Sequence, residues 1–115
     1  MKGIFVSMFA GLFLGVAFLG AESTKGNEYA QGKKLYTDKC QICHGVNGRG
    51  DGPAASALSP KPANFTDPKF WQGDVDKKIT DTIENGHGMM PAFNLKPGET
   101  KGIIDYLTQT FKPTR

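Results

Sequence analysis

The apolar residues of the chain fall into two zones with different patterns. No charged residue interrupts positions 3–21, which are rich in Phe and Leu, and Lys2 is the only charge before Glu22. A basic start, an apolar run and small residues at its end are typical of a secretory signal. We therefore predict a signal peptide over residues 1–23, cut after Ser23. The alternative is an uncleaved membrane anchor, because about 18 apolar residues can just span a bilayer.

After this leader, apolar positions follow a helical period in three segments. In the first segment, small and apolar residues recur every three or four positions, which places them on one face of a helix. These residues are Tyr29, Gly32, Tyr36, Cys40 and Cys43. Asn27 can cap this helix, which is predicted to begin at Glu28 and to fray near Cys40.

The second and third helices have clearer ends. Asp74 can cap the second and Gly86 stands where a C-terminal glycine stop belongs. Its apolar face comprises Trp71, Val75, Ile79 and Ile83. The last helix is predicted to start around Pro97, a favourable first-turn residue. Ile103, Leu107 and Thr110 share one face of it, with Ile104 and Phe111 beside that face. No segment has the alternation of a convincing strand.

A long segment between the first two helices has no helical period. Gly45 to Pro68 contains four glycines and four prolines. We interpret it as one ordered loop. Loops of this length are uncommon in small domains unless they serve a function.

Composition limits what so short a chain can do. The 115 residues allow one small domain, and the net charge of +3 is dispersed without a basic block, which argues against nucleic-acid binding. From Glu22 onward, fewer than one residue in three is apolar. A domain this small buries too little surface to offset chain entropy easily. We therefore expect another group to complete its core.

The motif Cys40-Gln41-Ile42-Cys43-His44 supplies a candidate for that group. Two thiols separated by two residues can reach the two vinyl groups of one haem, and the following His44 is then held beneath the iron as an axial ligand. This is the signature of c-type haem attachment. A redox disulfide would need a strand before the motif. A zinc site would need four ligands, and only His87 remains among the other Cys and His residues.

The second axial ligand should come from downstream. The candidates are Met89, Met90 and His87. Two adjacent methionines in a Gly/Pro-rich turn are poorly placed as core residues, whereas a thioether on a constrained loop suits a sixth ligand. His/Met ligation raises the reduction potential.

Together these features resemble a class I cytochrome c of the small bacterial monohaem kind. The resemblance covers roughly residues 28–111. It rests on Gly32 and Tyr36, Cys40 to His44, Gly48 to Pro53, Asn85-Gly86, Met90-Pro91 and Tyr106. It implies an all-α cytochrome c fold over residues 24–115, with three to four helices and long loops wrapped around one haem, covalently bound through Cys40 and Cys43.

The resemblance also implies roles for single residues. The ligand in this family is the Met directly before Pro, which selects Met90. A carbonyl in the Gly/Pro loop, by position that of Pro53, should accept a hydrogen bond from His44. The terminal helices should cross with Gly32 against Tyr106, and Gly102 near Tyr36. Which residues hold the haem propionates is open, with the Trp71 indole N–H as one candidate donor and plain core packing as the other interpretation.

The function implied is that of a single-haem carrier, not an enzyme, which passes one electron at a time between larger redox proteins. Its partners would be membrane or periplasmic proteins: an oxidase, a reductase or a quinol-oxidising complex. We expect a periplasmic monomer, or a membrane-anchored protein if the leader is retained. Two alternatives stay open. One is a haem sensor or peroxidase-like protein that releases its Met ligand, and the other is an anchored subunit of an oxidase or reductase complex.

Overall fold

The computed structural model describes residues 3–4, 10–12, 14–16 and 22–115. The helices are α1 (Glu22–Leu35), α2 (Gln41–His44), α3 (Val75–Asn85) and α4 (Pro97–Phe111). A single π-helical turn, Tyr36–Cys40, joins α1 to α2, and short 3₁₀ turns occupy Ala55–Ala57 and Pro68–Trp71. Within these ranges there is no β-strand, only an isolated bridge between His87 and Met90. The predicted all-α class is confirmed.

The predicted signal peptide falls largely on residues outside the described ranges, so it stays a prediction. No helix in the part of the chain that the structure describes is long and apolar enough to cross a membrane.

The predicted helix start at Glu28 was wrong, since α1 already begins at Glu22 and Asn27 lies inside it. No proline interrupts residues 22–27, so the helix extends through them.

The end of the first helix also differs from the prediction. The chain does not fray near Cys40 but makes one wide π-helical turn and continues directly into α2. Tyr36, the first residue of this turn, is 1% exposed, and its hydroxyl donates a 2.6 Å hydrogen bond to the carbonyl of Gly45. This bond ties the turn to the residue that follows the motif. Single π-turns inside helices occur frequently at functional sites.

Two glycines bring α1 and α4 into backbone contact. A Cβ atom on Gly32 would lie 1.8 Å from the carbonyl oxygen of Gly102, and one on Gly102 would lie 2.7 Å from the carbonyl oxygen of Glu28. Glycine therefore packs against glycine at the crossing, so the atoms nearest to each glycine are backbone atoms of the other helix. The predicted contacts of Gly32 with Tyr106 and of Gly102 with Tyr36 stay predictions.

Tyr106, an aromatic residue of α4, packs against two tyrosines of the first helical segment and its π-helical turn. The ring centroid of Tyr106 lies 5.4 Å from that of Tyr29 and 5.2 Å from that of Tyr36. Both separations are within the range of favourable aromatic pairs. The glycine contact thus brings α4 close enough for its ring to join the buried face of α1.

We expect Gly32→Ala to destabilise the haem-loaded protein strongly. The new methyl group would overlap a backbone carbonyl that no rotamer change can move, so the cost should reach about 3 kcal/mol, the upper end for overpacked cores. Gly26→Ala is the matched control, because Gly26 lies in the same helix with nothing within 4 Å of an added Cβ. It should stabilise by up to about 1 kcal/mol. Equal denaturation midpoints for the two variants would contradict the close crossing.

The long loop after the motif is ordered, as predicted. Its first half is tied to the backbone of α2 by three N–H donors: Gly50 to His44, Gly52 to Cys43 and Ala54 to Ile42, at 2.8–3.0 Å. A Cβ on Gly52 would lie 2.3 Å from the Ile42 carbonyl oxygen. The loop therefore lies directly against the haem-attachment motif.

α3 begins and ends as predicted, and α4 begins as predicted. The Asp74 carboxylate accepts a 3.1 Å hydrogen bond from the backbone N–H of Lys77, and Gly86 ends α3 with a φ of +73°. α4 starts at Pro97, where the Glu99 carboxylate accepts a hydrogen bond from the Lys96 N–H at 2.9 Å. α3 and α4 supply the buried aliphatic residues of the core cluster. These residues are Ile79, Ile83, Ile103, Ile104 and Leu107.

Candidate haem-binding site

The two cysteines open onto one cavity. Cys40 ends the π-helical turn and Cys43 lies in α2, so the two thiols are separated by part of one helical turn. Both are free and half-buried, and both line a cavity of about 430 Å³. That volume is within the range of about 300–1,000 Å³ that is usual for small-molecule and cofactor sites. Burial raises the pKa of the Cys40 thiol to about 11, so it is protonated at neutral pH.

His44 is oriented by a backbone carbonyl. Its Nδ1 lies 3.2 Å from the carbonyl oxygen of Ala63. A carbonyl only accepts, so the hydrogen bond assigns the proton to Nδ1 and leaves the Nε2 lone pair free. The imidazole also stacks on Phe65, with 4.6 Å between ring centroids. Burial lowers the pKa of His44 and so favours the neutral ring, which is the form that binds a metal.

The predicted role of Pro53 was wrong, because the carbonyl bonded to His44 belongs to Ala63. Pro53 is exposed and does not line the cavity. The reason is the path of the loop. Its early residues, including Ala54, hydrogen-bond along the backbone of α2, and only its later residues reach the imidazole. Nothing in the sequence marks Ala63, since any residue can offer a carbonyl.

The candidates for a second ligand share one turn on the cavity. His87, Met89 and Met90 all line it. His87 and Met90 exchange backbone hydrogen bonds of 3.0 and 2.9 Å, and Gly88 takes the positive φ of +57° that the first central position of a type II′ turn requires. Met90 is half-buried and packs against the core, whereas Met89, at the tip of the turn, is 58% exposed.

Trp71 stays outside the cavity. Its indole N–H donates a 2.7 Å hydrogen bond to the carbonyl oxygen of Phe65, and its ring packs half-buried against the core. Of the two interpretations that the sequence left open, core packing agrees with the structure, whereas the N–H offered as a propionate donor already has a backbone partner. Because the carbonyl of Phe65 is the partner, Trp71 instead supports the residue that stacks on His44.

These residues form a donor set that fits one covalently attached haem. Two thiols, an imidazole with a free Nε2 and a thioether all lie on one cavity, whose walls are mainly apolar. A zinc site fits less well, because the described residues contain no cluster of three or more His, Cys, Asp or Glu that could hold a metal ion. A redox disulfide also fits poorly, since the motif follows a helix and not a strand.

Comparison with known proteins agrees with this donor set. The sequence model of the family described as cytochrome c matches residues 29–111. The chain belongs to the cytochrome c family. This cytochrome has the helices, the Cys-x-x-Cys-His motif and the all-α fold expected of class I. As a c-type cytochrome it binds haem covalently, and it takes part in electron transfer.

Relatives of this cytochrome include subunits of larger assemblies. It is 30% identical over 91 residues to a cbb3-type cytochrome c oxidase subunit, FixP, of Bradyrhizobium diazoefficiens, and 32% identical over 91 residues to a FixP of another Bradyrhizobium strain. Each match covers 76% of this chain and 29% of the relative, so the chain spans less than a third of these curated relatives.

A solved structure with the same fold comes from a different assembly. A chain of the Kuenenia stuttgartiensis reducing HAO-like protein complex matches with a TM-score of 0.57 and 26% sequence identity. The match covers 71% of this cytochrome and 41% of that chain. The relatives thus associate domains of this family with larger redox complexes.

Proposed function

We propose that this cytochrome is a single-haem carrier that transfers one electron at a time between larger redox proteins and performs no bond chemistry on a substrate. The observation that carries the proposal is the placement of His44 and Met90 on one apolar cavity, each with its backbone or ring held by hydrogen bonds. Two ligands fixed in this way would leave the iron without an open coordination position. Chemistry on oxygen or peroxide requires such a position.

Each side chain of the site has a definite task in this proposal. The thiols of Cys40 and Cys43 would retain the haem through thioether bonds, and the Nε2 of His44 would bind its iron while the carbonyl of Ala63 holds the ring. Met90 would provide the second ligand from a turn that its own backbone bonds stabilise. The bound haem would supply an iron that accepts and returns one electron. The surrounding aliphatic side chains exclude water and disfavour added charge in the site.

The partner in this proposal is a larger redox protein, such as an oxidase, a reductase or a quinol-oxidising complex. The similarity to FixP supports an oxidase complex in particular. The haem-attachment motif and the turn after it offer a contact surface, because Ile42 is 60% exposed and Val46, two residues after the end of α2, is 68% exposed. Short-lived electron-transfer contacts are typically small. We propose a periplasmic monomer, anchored to the membrane if the leader is retained.

The proposal is tested on the purified holoprotein. Acidified organic solvent should leave all haem on the denatured chain, whereas the same treatment should remove the haem of a non-covalent control such as myoglobin. Spectroelectrochemical titration should then give one reversible one-electron transition with a low-spin iron in both states. Ferrous protein should not bind carbon monoxide. Complete extraction of haem would refute covalent attachment, and rapid carbon monoxide binding would favour a sensor or peroxidase-like protein that releases Met90.

A further inference from the structure

The cavity carries positive charge that no acidic residue balances. Among the described residues that line it there is no Asp or Glu, but there are three lysines, Lys39, Lys61 and Lys78. Three lysines outside the cavity are paired with acids, namely Lys34 with Asp38, Lys77 with Asp81, and Lys101 with Glu28 and Asp105, whereas none of the three cavity lysines forms an ion pair in the described part of the chain. A mainly apolar cavity with unbalanced cations at its edge favours an occupant that is apolar in its body and anionic at its margin.

Lys78 is the cavity lysine whose position is defined by its contacts. Its Nζ donates a hydrogen bond to the carbonyl oxygen of Phe70 and lies 4.1 Å from the centroid of the Phe70 ring, within cation–π distance. Phe70 itself lines the cavity. Within the described part of the chain, neither Lys39 nor Lys61 makes a side-chain hydrogen bond or an ion pair. The ammonium of Lys78 is therefore held at the edge of the cavity by two contacts with Phe70, which the other two described lysines lack.

The position of Lys78 on α3 also places it at the edge of the cavity. The next residue, Ile79, and the residues one turn later, Thr82 and Ile83, also line the cavity. Lys78 therefore lies on the cavity face of its helix, and its side chain is exposed while its ammonium lies over the Phe70 ring at the edge of the cavity.

We propose that Lys78 is a positioning residue that pairs with a carboxylate of the bound haem and raises its reduction potential. The inference rests on the proposed function, since it requires a haem in this cavity. A haem carries two propionate carboxylates, and its oxidised iron has one more positive charge than its reduced iron. A fixed cation at the cavity edge therefore neutralises a carboxylate and favours the reduced state. The role assigned here is the one that the sequence suggested for Trp71.

The experiment compares two adjacent lysines of α3 in the holoprotein. Lys78→Gln and Lys77→Gln remove the same formal charge, but the Lys77 ammonium pairs with Asp81 and does not line the cavity. Lys78→Gln should lower the ferrous-to-ferric ratio at a fixed electrode potential three- to tenfold, where tenfold corresponds to 59 mV for one electron. Lys77→Gln should change it less than twofold, because solvent and salt screen an exposed charge.

Two further variants separate charge from packing. Lys78→Arg keeps the cation, so its ferrous-to-ferric ratio at the same electrode potential should stay within twofold of the wild-type ratio. Lys78→Met keeps an apolar side chain beside Phe70 without the charge and should lower the ferrous-to-ferric ratio as Lys78→Gln does. If Lys78→Gln yields no holoprotein, Lys78→Met tests the role of the charge in its place. Equal shifts for the Lys77 and Lys78 variants, or a normal potential in Lys78→Met, would overturn the inference and leave the carrier function standing. A wild-type protein that loses its haem in acidified solvent would refute the proposed function itself.

Discussion

The double variant Cys40→Ala/Cys43→Ala, freed of haem by acidified solvent and returned to neutral buffer, is expected to be largely unfolded. The physical reason is the cavity of about 430 Å³ that the haem would fill. At about 24 cal/mol per Å³, a void of that size costs up to roughly 10 kcal/mol, an upper bound because the cavity opens to solvent. Small domains are stable by only about 5–15 kcal/mol in total.

Far-ultraviolet circular dichroism and thermal unfolding provide the measurement. We expect low helicity and no cooperative transition in the haem-free double variant. Wild-type holoprotein taken through the same solvent treatment is the control, because its covalent haem should remain and allow refolding. The single variant Cys40→Ala should retain haem through one thioether and should behave like the control, with a lower midpoint. A cooperative transition in the haem-free protein would show that its polypeptide core is sufficient.

The elements that the sequence predicted correctly are those whose signals are local. The cap at Asp74 and the stop at Gly86 involve residues within one turn of the helix ends, and the structure places α3 between them. The Cys-x-x-Cys-His motif is local in the same sense. The start of α1 was missed because Asn27 is able to cap a helix but also tolerates a place inside one, and the sequence offers no way to choose.

The assignments that failed or stayed open in the sequence depend on how distant segments meet. Pro53 was assigned to His44 by its place in the loop, but the loop first follows α2 and reaches the imidazole only at Ala63. Trp71 has the right chemistry for a propionate donor, but a carbonyl six residues earlier takes its N–H. Periodicity and residue type do not report such pairings, because backbone groups are present at every position and only the path of the chain selects among them.

Lys78 is a residue that the structure singles out although the sequence does not. In the sequence it is one of several lysines with no distinguishing motif, adjacent to Lys77 on the same helix. Only the packing of α3 against the 3₁₀ turn at Pro68–Trp71 places its ammonium over Phe70 at the edge of the cavity. The helical period already places Ile79 and Ile83 on the buried face, so Lys78 at its margin could have been suspected, but not its aromatic contact.

Met90→Ala is expected to remove the sixth ligand, whereas Met89→Leu is expected to leave it in place. Both methionines line the cavity, so their chemistry alone does not separate them. Their surroundings distinguish the two methionines, because Met90 is half-buried against the core and Met89 is 58% exposed at the tip of the turn. Pro91 also restricts the preceding Met90 to an extended backbone. Together with the paired hydrogen bonds to His87, this restriction holds the Met90 side chain in one direction.

The measurements are the ferric optical spectrum and the midpoint potential of each holoprotein. Met90→Ala should abolish the weak far-red absorption of an iron–thioether bond and lower the potential by on the order of 0.1–0.3 V, a part of the roughly 0.8 V that axial ligands control. Met89→Leu preserves side-chain volume, costs less than about 1.5 kcal/mol, and should change neither quantity. The opposite pair of results would move the ligand to Met89. A wild-type spectrum that lacks the far-red band and is unchanged in both variants would identify His87, which shares the turn, as the ligand, and would point to a lower-potential carrier with different partners.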